Sequence, residues 1–281
     1  MTVIQTADRT AELDIPRHSL MWPVRDALAV AWRNLIALPR IPQYLVFSTI
    51  QPVIFVLMFR YVFGSALKVP GNIPYVDFLM PGIFVQTVVF GSMGTAIGLA
   101  TDLQSGLLER FRSLPMARSA LLVGRTLADL ARNVFVVILM VAVGFAVGFR
   151  IHGGVLNFLA ACALVLLFGY ALSWVFASIG LLVKDPESAQ AAAFPILAPL
   201  VFASSVFVAP QFLPGWLRAF ATHQPVSVTA SAARGLALGP RLAHILSPTS
   251  TTSFVLQSIA WGVGIVLVFG SLAVRRYRKA V

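Results

Sequence analysis

The segment Leu107-Leu108-Glu109-Arg110-Phe111-Arg112-Ser113-Leu114-Pro115 sets one carboxylate and two guanidiniums among leucines and a phenylalanine. Wound as a short helix over Ser105–Leu114, it has an apolar side and a charged side. That arrangement does not suit bond making. It suits docking: Phe111 and Leu114 can anchor in a groove of a soluble partner while Glu109, Arg110 and Arg112 form a polar rim. Pro115 ends the helix, because proline cannot continue the hydrogen-bond ladder. A second helix is expected near Ser119, whose hydroxyl can cap it. A plain basic loop that only sets membrane orientation would carry the same charges, so the residues alone leave both readings open.

Catalytic groupings are hard to find. His18, His152, His223 and His244 are scattered and form no H-E-x-x-H or comparable metal spacing. A lipid-modifying enzyme of the membrane would want such clusters, so it is the weaker alternative. No G-x-x-x-x-G-K-[ST] run is present to cradle phosphates, so ATP hydrolysis is expected in another chain. A second set of residues suits contact with an oily cargo: Phe47, Gln51, Phe55, Phe59, Gln86, Phe90, Phe202 and Phe207. These are candidates to line a path, although each aromatic equally suits lipid exposure or helix packing.

The elements that must position these residues follow from composition. Of 281 residues, 58% are hydrophobic and 11% charged. Soluble domains have about 25% charged residues, so the chain reads as an all-α membrane protein with several spans. About 20 apolar residues cross a bilayer core. Six segments approach that length: Gln43–Phe63, Phe78–Thr101, Asn133–Phe149, Leu156–Ser178, Ala191–Val208 and Phe254–Val274. The third is short and is expected to continue a helix over Ala120–Arg132. The predicted organisation is a flexible arm (1–21), an interfacial helix (22–42) and a six-span region (43–281). The last contains a charged loop (102–132) and an outer segment (209–253), with short helices expected near Gly215–Ala221 and Val226–Leu238.

The net charge of +11 would suggest nucleic acid in a soluble protein. Here it maps topology. Arg110, Arg112, Arg118, Arg125 and Arg132 lie in one loop, and Arg275, Arg276, Arg278 and Lys279 in the tail, whereas Arg60, Lys68, Arg150, Arg218, Arg234 and Arg241 fall on the other side. The positive-inside rule then places both termini in the cytoplasm. In the first helix Leu28, Ala31, Trp32 and Leu35 share a face opposite Arg25, Asp26 and Arg33, as in a helix lying in the membrane interface. The central parts of the spans hold no Asp, Glu or Lys, which argues against an ion-coupled secondary transporter. Gly94 and Gly98, and Gly144 and Gly148, are spaced for close helix approach.

Several of these runs, in order, resemble the membrane subunits of type-2 ABC exporters, above all the daunorubicin-resistance drug exporter group. They are Gln51-Pro52, Met58-Phe59-Arg60-Tyr61-Val62-Phe63-Gly64, Phe78-Leu79-Met80-Pro81-Gly82 and Gly106 to Arg118 with Gly124-Arg125. Leu213-Pro214-Gly215-Trp216-Leu217, Gln224-Pro225 and Ala233-Arg234-Gly235 complete the likeness. The family often has Asn-Pro where this chain has Gln224-Pro225. The resemblance implies a multi-pass permease of the cell membrane that pairs with a second permease copy or a paralogue. Two ATP-binding cassette subunits would carry ATP and Mg, and this chain would bind no cofactor. It also implies that Gly106–Leu114 is the coupling helix, with Glu109 a key contact, and that the cargo is a hydrophobic or amphipathic drug or lipid.

Overall fold

The computed structural model describes residues 21–37, 42–64, 69, 73–106, 120–183, 185–247 and 249–280. Among them every regular element is helical. In chain order these are α1 (Met21–Ala37) and α2 (Pro42–Leu57), which runs on through a π turn (Met58–Val62). Then come α3 (Tyr75–Gln104), α4 (Ala120–Ala146), α5 (Val155–Val183) and α6 (Pro186–Phe202). The shorter α7 (Gly215–His223), α8 (Pro225–Leu238) and α9 (Pro240–Leu246) follow. The last rod is α10 (Thr251–Ile265), a π turn (Val266–Gly270) and α11 (Ser271–Ala280).

Among the described residues four stretches are long and apolar enough to cross a membrane: Tyr75–Gln104, Leu121–Ala146, Val155–Val183 and Thr251–Tyr277. They differ in surroundings. The most apolar stretch of α3 is 72% buried, that of the last rod 17%. α3 is therefore the hub, touched by α2, α4, α5, α6 and α8, and the last rod is the periphery. Lipid is as apolar as leucine, so such helices associate through close packing and polar bonds rather than through water exclusion. The α3–α5 contact shows the packing. A Cβ on Gly180 would lie 2.5 Å from the Ala96 carbonyl oxygen, so only glycine lets the two backbones approach there. Val88, Phe84, Phe158, Val165 and Phe168 fill the same core.

Helix ends follow local rules. Asp185 caps α6, its carboxylate accepting from the Ser188 amide at 2.8 Å, with Pro186 at the first helical position. Gly106 stops α3 with φ +68°, a conformation that glycine adopts without a Cβ clash. Ser105 and Gly106 thus form a turn, and the helix expected to begin at Ser105 does not begin there. Gly148 is another correction. With φ +100° and open space around its Cα it ends α4 rather than packing a helix pair, while Gly144 packs on Met80.

The expected extension of the third span is present: α4 is continuous from Ala120 through Arg132 to Ala146. The short outer helices also form, as α7 and α8. α8 is embedded in the bundle. Val226, Ser227, Val228, Thr229, Ala230 and most of the residues after them are buried against α3, α5 and α10.

Candidate translocation path and the polar ladder beside it

The path candidates fall into two groups along one face of α2. Phe55 and Phe59, one turn apart, stack at a 6.1 Å centroid separation. Phe207 closes on both, at 5.7 Å from Phe55 and 4.3 Å from Phe59, and Phe202 lies 6.2 Å from Phe55. Phe63 extends the stack at 5.4 Å. Its sequence signal was the same i, i+4 spacing. Offset aromatic pairs of this kind each add about 0.5–1.5 kcal/mol beyond their packing. Phe202 remains half exposed, so the stack has an open side.

One turn before Phe55, Gln51 joins Gln86 and Phe90 around a cavity of about 190 Å³ between α2, α3 and α4. Thr87, Met93, Asn133 and Arg132 also line it. Gln86 is 1% exposed, and its Oε1 has no hydrogen-bond partner among the described residues. A buried acceptor of this kind is costly unless something meets it. The cavity therefore offers a polar notch in an apolar wall. Phe47 lies in α2, but its side chain is outside the described residues, as are all of Leu107, Leu108, Glu109, Arg110, Phe111, Arg112, Leu114 and Pro115.

The residues that sequence reasoning missed run from this cavity to the α4 N-terminus. Arg132 donates to the Gly91 carbonyl oxygen at the middle of α3. Thr95 donates to Asp129 Oδ2 at 2.7 Å. Arg125 lies 3.7 Å from Asp129 and 3.8 Å from Asp102, and Arg132 lies 3.8 Å from Asp129. On α3 the facing positions are Gly91, Thr95, Gly98 and Asp102, one stripe at helical spacing. Gly98 makes the seat for Arg125, because a Cβ there would collide with the guanidinium, and Gly91 does the same for Asn133.

The spacing of Arg125, Asp129 and Arg132, i, i+4 and i+7, was the available signal. It was obscured by counting them as loop charges. Asp129 and Arg132 are instead 5% and 4% exposed. An aspartate and an arginine are therefore buried within the candidate span Leu121–Ala146, and the argument against ion coupling from the absence of such residues does not hold. Helix α1 packs on this part of α4, with Val30 and Ala27 against Gly124.

The opposite end of α3 is held differently. Arg234, on α8, is 3% exposed. Its Nε donates to the Phe78 carbonyl oxygen at 2.8 Å, and its Nη2 to those of Ser205 at 2.6 Å and Val206 at 2.7 Å. The guanidinium also stacks 3.8 Å from the Phe78 ring centroid. Tyr75 donates to the Phe207 carbonyl oxygen at 3.0 Å, and Asp77 accepts from the Arg150 amide at 2.9 Å. Gln224, where the resembling family often has Asn, uses its extra length. Its Nε2 donates to the Leu200 and Ala203 carbonyl oxygens and so closes the end of α6.

Residues 25–238 match the family described as ABC-2 type transporter. The chain belongs to that family. It is also 35% identical over 264 residues to a daunorubicin resistance ABC transporter permease of Streptomyces coeruleorubidus, covering 91% of this chain and 87% of that protein. A Mycobacterium tuberculosis protein named a probable doxorubicin resistance ABC transporter permease is 28% identical over 239 residues, covering 83% of this chain and 81% of that one. The permease is accordingly the non-catalytic membrane component of an ABC transporter, a multi-pass protein of the cell membrane, and its ATPase is a separate subunit. The match includes the ladder residues, the path candidates on α2 and α3, and Arg234.

Proposed function

We propose that this permease exports hydrophobic or amphipathic compounds, and that the α3–α4 ladder carries motion from the ATPase to the path. The observation that carries the reading is the placement of Arg132. It lies on the helix that leaves segment 107–119, and its guanidinium reaches both the middle of α3 and the cavity lined by Gln51 and Gln86. A push on the start of α4 is thereby passed to α3 through paired polar side chains and not through apolar contacts alone.

The rest of the proposal follows from topology. α2 with its π turn and α6 complete six spans. α6 is short, and Pro195 and Pro199 open its backbone ladder near a turn that doubles back through Ser204–Val208. Both termini face the cytoplasm, where the basic residues gather. On α1, Leu28, Trp32 and Ile36 are exposed along one stripe while Val30 and Ala31 face α4, as suits a helix lying at the membrane surface. Leu107, Leu108, Glu109, Arg110, Phe111, Arg112, Leu114 and Pro115 dock into the ATP-binding subunit, which holds ATP and Mg. A second copy of this chain, or a paralogue, meets it across the open side of the Phe55–Phe59–Phe202 stack.

Two relatives carry daunorubicin or doxorubicin resistance in their names, which makes doxorubicin the first cargo to test. Its efflux from vesicles holding the permease with its ATPase should fall at least about ten-fold in Glu109→Ala and in Phe111→Ala while both proteins still fold, given that interface anchors are worth about 2 kcal/mol or more. Transport that survives both replacements would overturn the docking assignment.

A further inference from the structure

At the end of the bundle away from α1 and α11, Phe78, Ser227, Ser231, Arg234, Thr251 and Gln257 are among the residues that surround a cavity of about 410 Å³. That volume falls in the range of small-ligand pockets. Its walls come from α3, α7, α8, α9 and α10 with the 209–211 segment, and Gly235 sets the spacing of α8 and α10, because a Cβ there would meet Thr251. The polar lining has hydroxyls, amides, the His223 imidazole and one guanidinium, and it has no carboxylate.

The charge balance around this cavity is unusual. A buried guanidinium normally sits beside a carboxylate, because an isolated ion is costly to remove from water. Arg234 has no carboxylate within salt-bridge distance among the described residues. Its partners are three carbonyls, the Ser205 hydroxyl at 3.3 Å from Nη1 and an aromatic face, all of them neutral. The chain has no Asp or Glu after Glu187, so none stands on α7, α8, α9 or α10, which share this end of the bundle. Asp77 does not line the cavity. It is taken up by the Arg150 amide and faces His152 at 3.9 Å. Of the five guanidinium N–H groups, the carbonyls and the Ser205 hydroxyl take four, which leaves one on Nη1. Ser231, on the same helix one turn before Gly235, adds a hydroxyl to the cavity wall.

We infer that this cavity binds a tetrahedral oxyanion, a phosphate group, for which Arg234 supplies the charge and the hydroxyl and amide side chains the remaining donors. A phosphate on a phospholipid and free inorganic phosphate share this chemistry. The site is separate from the path on α2 and stands whether or not that path carries drugs.

The test uses the full permease with its ATPase in a maltoside detergent that carries no phosphate, since phosphatidylcholine would bring the same group. In one arm, phosphatidylglycerol is titrated in and retained lipid is counted by native mass spectrometry. In the other, inorganic phosphate is titrated and followed by the phosphorus NMR linewidth. Ser231→Asp supplies the missing counter-ion within the chain. It should fold at least as well as the parent and weaken binding at least about ten-fold, while Ser231→Ala binds within a factor of about three. Gln257→Glu should act in the same direction as Ser231→Asp. Binding only in the lipid arm identifies a headgroup site, and binding only in the other identifies a free-anion site. Retention of neither ligand by the parent, or equal binding by parent, Ser231→Asp and Gln257→Glu, overturns the inference.

Discussion

At the α4 end of the bundle, Arg125, Asp129 and Arg132 pair with Asp102 and with one another along two long helices. At the other end, Arg234 has only neutral partners, mainly backbone oxygens of a turn and of the first turn of α3, with the Ser205 hydroxyl and the Phe78 ring beside them. The first arrangement joins helix to helix through side chains that can shift together by rotating. The second fixes a non-helical turn to a helix, and its acceptors cannot move without unfolding that turn. On the proposed function, charges at one end transmit, whereas at the other they clamp.

The clamp gives the largest expected effect. Arg234→Ala leaves three buried carbonyls short of a donor, at roughly 1–3 kcal/mol each, and should cost about 3–5 kcal/mol in all. The readout is loss of monodisperse protein on heating. Arg234→Lys should recover only part of it, because an ammonium cannot reproduce the fork and the ring stacking. If both variants melt with the parent, the clamp contributes nothing.

Gly98→Ala tests the transmitting end. The new Cβ takes the seat of the Arg125 guanidinium and should cost about 1–2 kcal/mol. Adding Arg125→Ala removes the collision, so the double variant should be more stable than the sum of the two singles by at least about 0.5 kcal/mol. Strict additivity would mean that the two residues do not share the site. Between the two ends, Phe59→Leu removes stacking on Phe55, Phe63 and Phe207. Loss of about 1 kcal/mol of aromatic contact should raise the transport KM for doxorubicin a few-fold and leave ATP hydrolysis unchanged. A fall in ATP hydrolysis with KM constant would remove the stack from the path.

The smallest effect concerns the cap on α6. The Ser188 amide, and then the Ser188 side chain, hold the Asp185 carboxyl below the usual carboxylate range. A lowered native pKa means that the cap stabilises fully above the ordinary value of about 3.9 and is lost as pH falls through the native one. Hydrogen exchange at the Ser188 amide should therefore speed up only in strong acid. In Asp185→Asn, exchange after correction for its intrinsic pH dependence should be independent of that titration. Correction-adjusted exchange that already accelerates near pH 5 in the parent would contradict the assignment.

These elements differ in how far the sequence reveals them. The apolar runs mark α2 through α6 and the last rod, because membrane crossing demands length and apolarity whatever the packing. They do not mark the ends: α6 runs over Pro186–Phe202 where Ala191–Val208 is expected, since the apolar residues after Phe202 belong to a turn. The continuous α4 is legible because nothing between Ala120 and Arg132 breaks a helix. The Phe55–Phe59 pair is legible from its spacing. What the linear pattern hides is depth. Asp129 and Arg132 read as loop charges because their cover, Gly91, Thr95 and Gly98, comes from another helix. Arg234 reads as a surface residue of an outer loop for the same reason. The small residues around it in α8, Ser231, Ala232, Ala233 and Gly235, were the hint that this helix packs tightly enough to bury it.

The central claim is that the ladder passes work from the ATPase to the path. Its most direct test is the ratio of doxorubicin moved to ATP hydrolysed by the Asp129→Asn complex. Asparagine can still accept from Thr95, so the helices stay joined while the charge pairs with Arg125 and Arg132 are lost. The expected result is ATP hydrolysis within about two-fold of the parent and transport lowered at least about ten-fold, the change that about 1.4 kcal/mol produces. A folded Asp129→Asn complex that moves as much doxorubicin per ATP as the parent would contradict the claim.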